Sequence, residues 1–489
     1  MRQTMRQLTS LDAQFLAMEG PRTYGHVGGL AIYDPSTAPG GKVGIEDICR
    51  VVAERLPLLE PFRWRLAEVP LGIDHPYWIE DPHFDLDFHI RESAVPPPGD
   101  DGRLAETVAR IFARPLDRTR PLWELYLIHG LPQGRVAILT KVHHAAVDGV
   151  SGAEILGALL DLAPEGREVP PDERVPEREP SELEMLGRGL LGLPRQPLRM
   201  VKSLPRAARG LPRFPGAAMV PGYPALRRAL GGDDRSELLE TVTTRAPRLS
   251  FNRKIGAARR YSFGSLSLQK VKDLKNELGI TVNDVVVGLC ATGLRDWLTD
   301  RDELPRGPLV ALIPVSVRTR DEQGTFGNKV SGMILPIPTH ITDPRERLMK
   351  AHEVLRVAKE RHGALPASLM TDVSNFIPPA LFTRASRAGT EIAGRIRTPL
   401  NVAISNVPGP AVPLYCAGAE LQANYPVSVI MDGVGLNITV MSYRDHLDFG
   451  IIGDRDTIAD TWDLMGNLAR GLEEMHELVC SKPKAPAQR

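Results

Sequence analysis

The heptapeptide His143-His144-Ala145-Ala146-Val147-Asp148-Gly149 sets two adjacent imidazoles and a carboxylate at the end of an apolar run. A histidine near its ordinary pKa of about 6.5 can take a proton from a hydroxyl at neutral pH and return it to a leaving group. His144 lies nearer the following loop, with freer access to a cleft, and is the candidate general base. Adjacent strand residues point to opposite faces, so His143 belongs to the supporting scaffold. Asp148 is the obvious second member of a dyad, but a tight turn after a strand can aim it back into the scaffold, and its role is read first as structural. A buried carboxylate needs a cation or several N–H donors, and Arg318 in Pro314-Val315-Ser316-Val317-Arg318 is the proposed partner. Gly149 permits a close approach or a positive φ at the turn into the next helix. Metal ligation is the rival reading of paired histidines. Here they point apart, no third His or Cys stands at ligand spacing, and no metal is expected. No Gly-x-Ser-x-Gly elbow stands at a strand-to-helix turn, and no Walker lysine loop or dinucleotide glycine pattern supports phosphate chemistry.

The elements that position this motif follow from periodicity. Trp123 to His129 and Arg135 to Val142 read as two strands joined through Leu131-Pro132-Gln133-Gly134, a hairpin that delivers the histidines, and Ile155, Leu156, Leu159 and Leu160 mark one face of the helix after it. Upstream, Gly28 to Tyr33 is a strand, Val43 to Leu56 an amphipathic helix, Phe84 to Ile90 a strand by alternation, and Gly102 to Ala113 a helix. Downstream, Arg260 to Phe263 reads as a strand, Leu268 to Leu278 and Asn283 to Leu298 as helices, and Leu309 to Val317 and Lys329 to Ile337 as strands. A capped helix follows Asp343-Pro344. Leu400 to Ser405, Leu436 to Tyr443 and Leu447 to Ile452 add strands, and Thr457 to Val479 closes with a helix. The class is α+β, in two halves.

With 489 residues the chain exceeds one ordinary core. The division expected is 1–164, a connector at 165–253, and 254–489. Within the connector, Glu165 to Glu184 is acidic and Pro-rich and reads as linker, whereas Arg188 to Leu230 holds nine Lys or Arg and no Asp or Glu. That basic, apolar mixture suits either an anionic lipid surface or acidic protein surface. Sixty basic and sixty acidic side chains cancel, which argues against a general nucleic-acid binder. Four scattered cysteines fit a reduced compartment. With no apolar signal core and no apolar run of about 18 residues, a cytoplasmic protein that is neither secreted nor membrane-spanning is expected, and peripheral membrane contact stays open.

His143-His144-x-x-x-Asp148-Gly149 resembles the HHxxxDG motif of the CoA-dependent acyltransferase superfamily, which includes chloramphenicol acetyltransferase-like enzymes and peptide-synthetase condensation domains. Within it the chain looks most like the bacterial wax ester synthase/diacylglycerol acyltransferase family. The ordered set that carries the resemblance spans nearly the whole length: Leu11-Asp12 with Phe15-Leu16, His26-Val27-Gly28-Gly29, Pro121-Leu122-Trp123-Glu124, the heptapeptide, Asn283-Asp284, and Ser405-Asn406-Val407-Pro408-Gly409-Pro410. It implies two chloramphenicol acetyltransferase-like, condensation-domain-like subdomains in a V, with a tunnel and the active site at their interface. The implied reaction is direct transfer from acyl-CoA to diacylglycerol, or to a long-chain alcohol, with His144 as base. Acyl-CoA is then a co-substrate, and no cofactor is needed. Lipid-droplet or inner-membrane surfaces are the implied location.

The other matched residues also have plainer readings. Thr281-Val282-Asn283-Asp284 fits a helix capping box, with Asp284 reaching back to the Thr281 N–H; Asn283 is also open to shaping the site. Trp123 reads as strand packing or as tunnel lining. Ser405 and Asn406 either satisfy a turn or donate to an oxyanion. Two other functions stay open: acyl transfer or condensation from a carrier protein, and a non-catalytic lipid-binding or lipid-droplet protein.

Overall fold

The computed structural model describes residues 5–147, 155–170, 178–192, 246–316, 330–363 and 400–480. The first half runs β1 (Arg6–Gln7), α1 (Ser10–Ala17), β2 (His26–Asp34), α2 (Ile45–Arg55), β3 (Trp64–Ala67), β4 (Tyr77–Glu80), α3 (Leu86–His89), β5 (Ile90–Ala94), α4 (Asp101–Phe112), β6 (Trp123–His129) and β7 (Val136–His143). A helix, α5 (Glu182–Gly192), lies within the connector. The second half continues with β8 (Arg259–Ser267), α6 (Leu268–Leu278), α7 (Val282–Thr299), β9 (Leu309–Ser316), β10 (Val330–Ile337), α8 (Pro344–Gly363), β11 (Val402–Val407), β12 (Tyr415–Cys416), β13 (Ala419–Val427), β14 (Leu436–Tyr443), β15 (His446–Asp454) and α9 (Trp462–Cys480).

Two six-stranded sheets carry the architecture. One has the order β12-β13-β2-β7-β6-β5 and the other β10-β9-β11-β14-β15-β8; β1, β4 and β3 make a small third sheet. Strand β7 sits between β2 and β6, pairing antiparallel with both. Every residue of β7 except Thr140 is buried, as its near-continuous apolar sequence requires. The helices start and stop where local chemistry dictates. The Asp100 carboxylate accepts the Arg103 N–H at 2.8 Å to open α4, and Gly279, at φ 67°, ends α6 in the left-handed conformation that a Cβ disfavours. Helix α7 is mostly apolar because it is a core helix, with Val285, Val286, Leu289, Cys290, Ala291, Leu294 and Leu298 fully enclosed.

The halves are interlocked. Strand β13 belongs to the second half by sequence, yet it pairs with β2 from Glu420↔Asp34 to Val427↔Gly28. The expected division at 164 and 254 therefore does not separate the two sheets. Where β13 meets β15, a Cβ at Gly450 would lie 1.7 Å from the Pro426 carbonyl oxygen, so only glycine admits this approach. The Tyr261 hydroxyl donates to the Tyr425 and Pro426 carbonyls at 3.2 Å each. A shared core of Leu30, Ile32, Val108, Phe112, Tyr261, Phe263 and Ile452 fills the junction.

Three expectations require correction. Phe84 to Ile90 is not a strand: Asp85 accepts the Asp87 N–H at 3.2 Å, opens the short helix α3, and delays the strand to Ile90. The acidic stretch is not linker throughout, since Glu182 to Glu184 open α5, which runs on into the basic segment and seats Gly189 on Val69 and Ile73, where a Cβ would lie 2.8 Å from each side chain. The last helix begins at Trp462 rather than Thr457, after Asp460 accepts the Trp462 N–H at 2.8 Å. Most of the basic segment, residues 193–230, lies outside the described residues.

Candidate active site

His143 is the last residue of β7, opposite His26 on β2, and His144 begins the turn that follows. Backbone hydrogen bonds fix both. The His143 N–H donates to the Leu122 carbonyl at 2.9 Å, the His144 N–H to the Gly25 carbonyl at 2.7 Å, and the Ala146 N–H closes the turn on the His143 carbonyl at 2.9 Å. Their side chains have different surroundings. His143 is buried, whereas His144 is half-buried and lies flat against Phe15, with ring centroids 4.0 Å apart and planes 7° from parallel. Stacking covers one face of the ring and fixes the imidazole plane, and it is in that plane, at the ring nitrogens, that a histidine exchanges protons.

The buried member of the pair has its tautomer set. The Ala145 N–H donates to His143 Nδ1 at 3.0 Å, which leaves the proton on Nε2. That nitrogen faces Glu19 Oε1 at 3.0 Å in an off-axis approach. Glu19 Oε1 also accepts the Gly25 N–H at 2.8 Å, and its Oε2 accepts from Arg118 Nη2 at 2.6 Å and Nε at 3.1 Å. Burial alone would raise the Glu19 carboxyl. The His143 ring, the Gly25 amide and the Arg118 guanidinium outweigh it and bring the pKa down to about 2. His26, stacked on Tyr24 and donating through Nε2 to the Phe112 carbonyl at 2.9 Å, is held well below its ordinary pKa by burial and then by the Lys141 ammonium. Glu19 and Arg118 do not appear in any local motif. The only sequence signal is a lone acid between Phe15 and His26, two residues of the ordered set.

In the second half, the structure brings together Asn283 and Asn406, with Asn406 Nδ2 donating to Asn283 Oδ1 at 3.3 Å. This bond links the first turn of α7 to the end of β11, and Ser405 stands beside it, half-buried. Asp284 is instead a capping residue. Its Oδ2 accepts the Thr281 N–H at 2.9 Å and the Thr281 hydroxyl accepts the Asp284 N–H at 3.2 Å, completing the box. The same buried carboxylate faces His352 Nδ1 at 2.8 Å and Lys359 Nζ at 3.8 Å. Asp12 is likewise a capping residue, to Thr9. Trp123 packs in the core, buried between Phe62 and His89, each 4.4 Å away, and its Nε1 donates to the Phe62 carbonyl at 2.8 Å. Asp148, Gly149 and Arg318 lie outside the described residues.

The model of the wax ester synthase/diacylglycerol acyltransferase catalytic domain matches residues 8–286, and that of the family's C-terminal domain matches residues 326–476. The chain belongs to the wax ester synthase/diacylglycerol acyltransferase family. Its relatives include a putative diacylglycerol O-acyltransferase of Mycobacterium tuberculosis, 34% identical over 98% of this chain and 92% of that protein. A probable diacylglycerol O-acyltransferase of the same species is 34% identical, with 96% and 98% covered. Among solved structures, the wax ester synthase/diacylglycerol acyltransferase from Marinobacter aquaeolei VT8 aligns with TM-score 0.67 and 30% identity over 97% of this chain and 99% of that one. The first condensation domain of the CDA synthetase, at 16% identity and TM-score 0.55 over 98% and 97%, shares the fold. The resemblance drawn from the ordered motifs is borne out, and so is a fold of two acyltransferase-like subdomains. Within this wax ester synthase/diacylglycerol acyltransferase chain, His143, His144, Asn283 and Asp284 fall in the catalytic-domain match and Ser405 and Asn406 in the C-terminal match.

Proposed function

We propose that this protein transfers a long-chain acyl group from acyl-CoA to the hydroxyl of diacylglycerol, and to long-chain alcohols as second acceptors, with His144 as general base. The observation that carries the reading is the division of labour at the end of β7: one imidazole locked in the scaffold by Glu19, the next half-buried on a flat aromatic platform. His144 takes the acceptor proton as the oxygen attacks the thioester carbonyl. The tetrahedral intermediate collapses, the carbon–sulfur bond breaks, and the imidazolium protonates the departing thiolate of CoA. Atoms balance without an acyl-enzyme and without a resident cofactor. Asn283 and Asn406, tied together at the α7–β11 corner, contribute amide N–H groups of the kind that stabilise a developing oxyanion.

Incubation with labelled acyl-CoA and either diacylglycerol or a long-chain alcohol, following ester and free CoA, tests the reaction. Ester formed in step with CoA release is the expected result; no ester with either acceptor would sink it. Among the described residues, no single helix is long and apolar enough to cross a membrane. The reading places the protein in the cytoplasm, with peripheral contact to the inner membrane face or to lipid droplets. This is supported by exposed Leu183, Leu190 and Leu191 on α5 and Leu71 on the turn beside it, next to the basic run in sequence. Replacing Leu190 and Leu191 by Asp is expected to reduce sedimentation with anionic liposomes, and unchanged sedimentation rejects this contact.

A further inference from the structure

We infer that the loop from Gly20 to Gly25 is a strut through which the second half of the molecule sets the position of His144, with Arg259 as its positioning residue. The inference rests on His144 being the base. Arg259 opens β8 and is buried. Its Nη1 donates to the Gly256 carbonyl at 2.8 Å and to the Ala258 carbonyl at 3.2 Å, which fixes the guanidinium on its own half. Nη2 crosses to the Arg22 carbonyl of the first half. The guanidinium also lies over the Tyr24 ring, 5.5 Å from its centroid, and that ring stacks on His26.

The loop is stiff enough to transmit this anchoring. The Tyr24 hydroxyl donates to the Pro21 carbonyl at 3.0 Å, and the Gly20 N–H donates to the Thr23 carbonyl at 3.0 Å. At its far end the Gly25 N–H is held by Glu19 and the Gly25 carbonyl holds the His144 N–H. A Cβ at Gly25 would stand 2.7 Å from His143 Nε2, so the backbone packs directly against the His143 ring. Among the described residues, the hydrogen bonds of Arg259 go to backbone carbonyls, and the Asp454 and Asp456 carboxylates lie near enough to favour its charge. A buried cation is a costly choice where packing alone is needed. What it secures is a fixed distance between β8 and the loop that carries the base.

Arg259→Met keeps the bulk and removes the donors, and Arg259→Lys restores a cationic donor. In the full-length protein, Arg259→Met is expected to lower kcat about tenfold with KM within about twofold of wild type, because misplacing a base costs turnover rather than binding. Hydrogen exchange at the His144 amide should quicken about tenfold, with the central strands unchanged. Arg259→Lys should recover part of both. A variant with wild-type kcat, or with reduced kcat and unchanged His144 exchange, overturns the inference. If the wild-type protein forms no ester, the proposed function falls while the exchange measurement still decides the strut. Should Arg259→Met fail to fold, Tyr24→Leu, which removes the ring under the guanidinium, is read by the same two measurements.

Discussion

Glu19→Gln is an isosteric change that removes one charge from the brace behind the histidines, and its cost follows from the geometry. The carboxylate is half-buried, faces His143 Nε2 at 3.0 Å, and takes hydrogen bonds from the Gly25 amide and from two Arg118 nitrogens. Together these outweigh burial and bring its pKa from 4.5 to about 2. At about 1.36 kcal/mol per pH unit, the fold favours the charged form by about 3 kcal/mol. Because the folded pKa lies below the unfolded one, this stabilisation is fully present above about pH 4.5 and is lost as the pH falls towards about 2. Glutamine mimics the neutral acid, so the variant should unfold about 3 kcal/mol more easily at pH 7. With a urea slope of about 3 kcal/mol/M for a chain of this size, the midpoint falls by about 1 M. Urea titrations of both proteins at pH 7, 5, 4 and 3 measure the gap, which should narrow steadily below pH 4.5. In an Arg118→Met background the same substitution should cost less, since the two changes share one interaction. Equal midpoints at pH 7, or a gap that persists unchanged at pH 3, would refute the electrostatic account of the brace.

Three further outcomes are expected. His144→Ala should reduce acyl transfer about 10²- to 10⁴-fold while the circular dichroism spectrum and melting profile stay those of wild type; a variant retaining near-normal transfer removes His144 from the chemistry. Gly25→Ala places a methyl 2.7 Å from His143 Nε2 and 3.3 Å from the Phe15 carbonyl, and overpacking of that kind costs about 1–3 kcal/mol, read as a lower melting temperature together with lost transfer. Asp284→Ala opens the α7 cap and strips His352 and Lys359 of their carboxylate, which should cost about 2–4 kcal/mol of stability with transfer per folded molecule within about tenfold of wild type; a stably folded variant as inactive as His144→Ala would make Asp284 part of the chemistry.

What was legible in the sequence was local. The mostly apolar run from Val136 to Val142 announces a strand, and the structure ends that strand at His143, so His143 is buried in the sheet while His144 opens the turn. The capping box at Thr281–Asp284 and the helix from Leu268 to Leu278 were legible for the same reason: each is specified within four residues or by a 3.6-residue period. Local rules failed in two ways. At Asp85, a side-chain cap overrode an alternating pattern that suits a strand. Elsewhere, what decides the structure is distant in sequence: Glu19 meets Arg118 and His143 about a hundred residues on, and β13 pairs with a strand nearly four hundred residues before it. No spacing rule reaches that far.

The strand exchange constrains how substrates can enter. Parting the two halves along β13 would break either its ladder with β2 or its Asn424–Asp448 link to β15, and would bare Leu30, Ile32, Tyr261, Phe263 and Ile452 together. Exposing one large apolar side chain costs about 1.5–3 kcal/mol, so baring five of them exceeds what a routine opening motion in turnover supplies. The β13 side of the junction is therefore a fixed seam, and the loop at Gly20–Gly25, tied to β8 by Arg259, extends it to the histidines. Substrate entry must be arranged without moving that seam, which holds the His144 backbone in register with both halves.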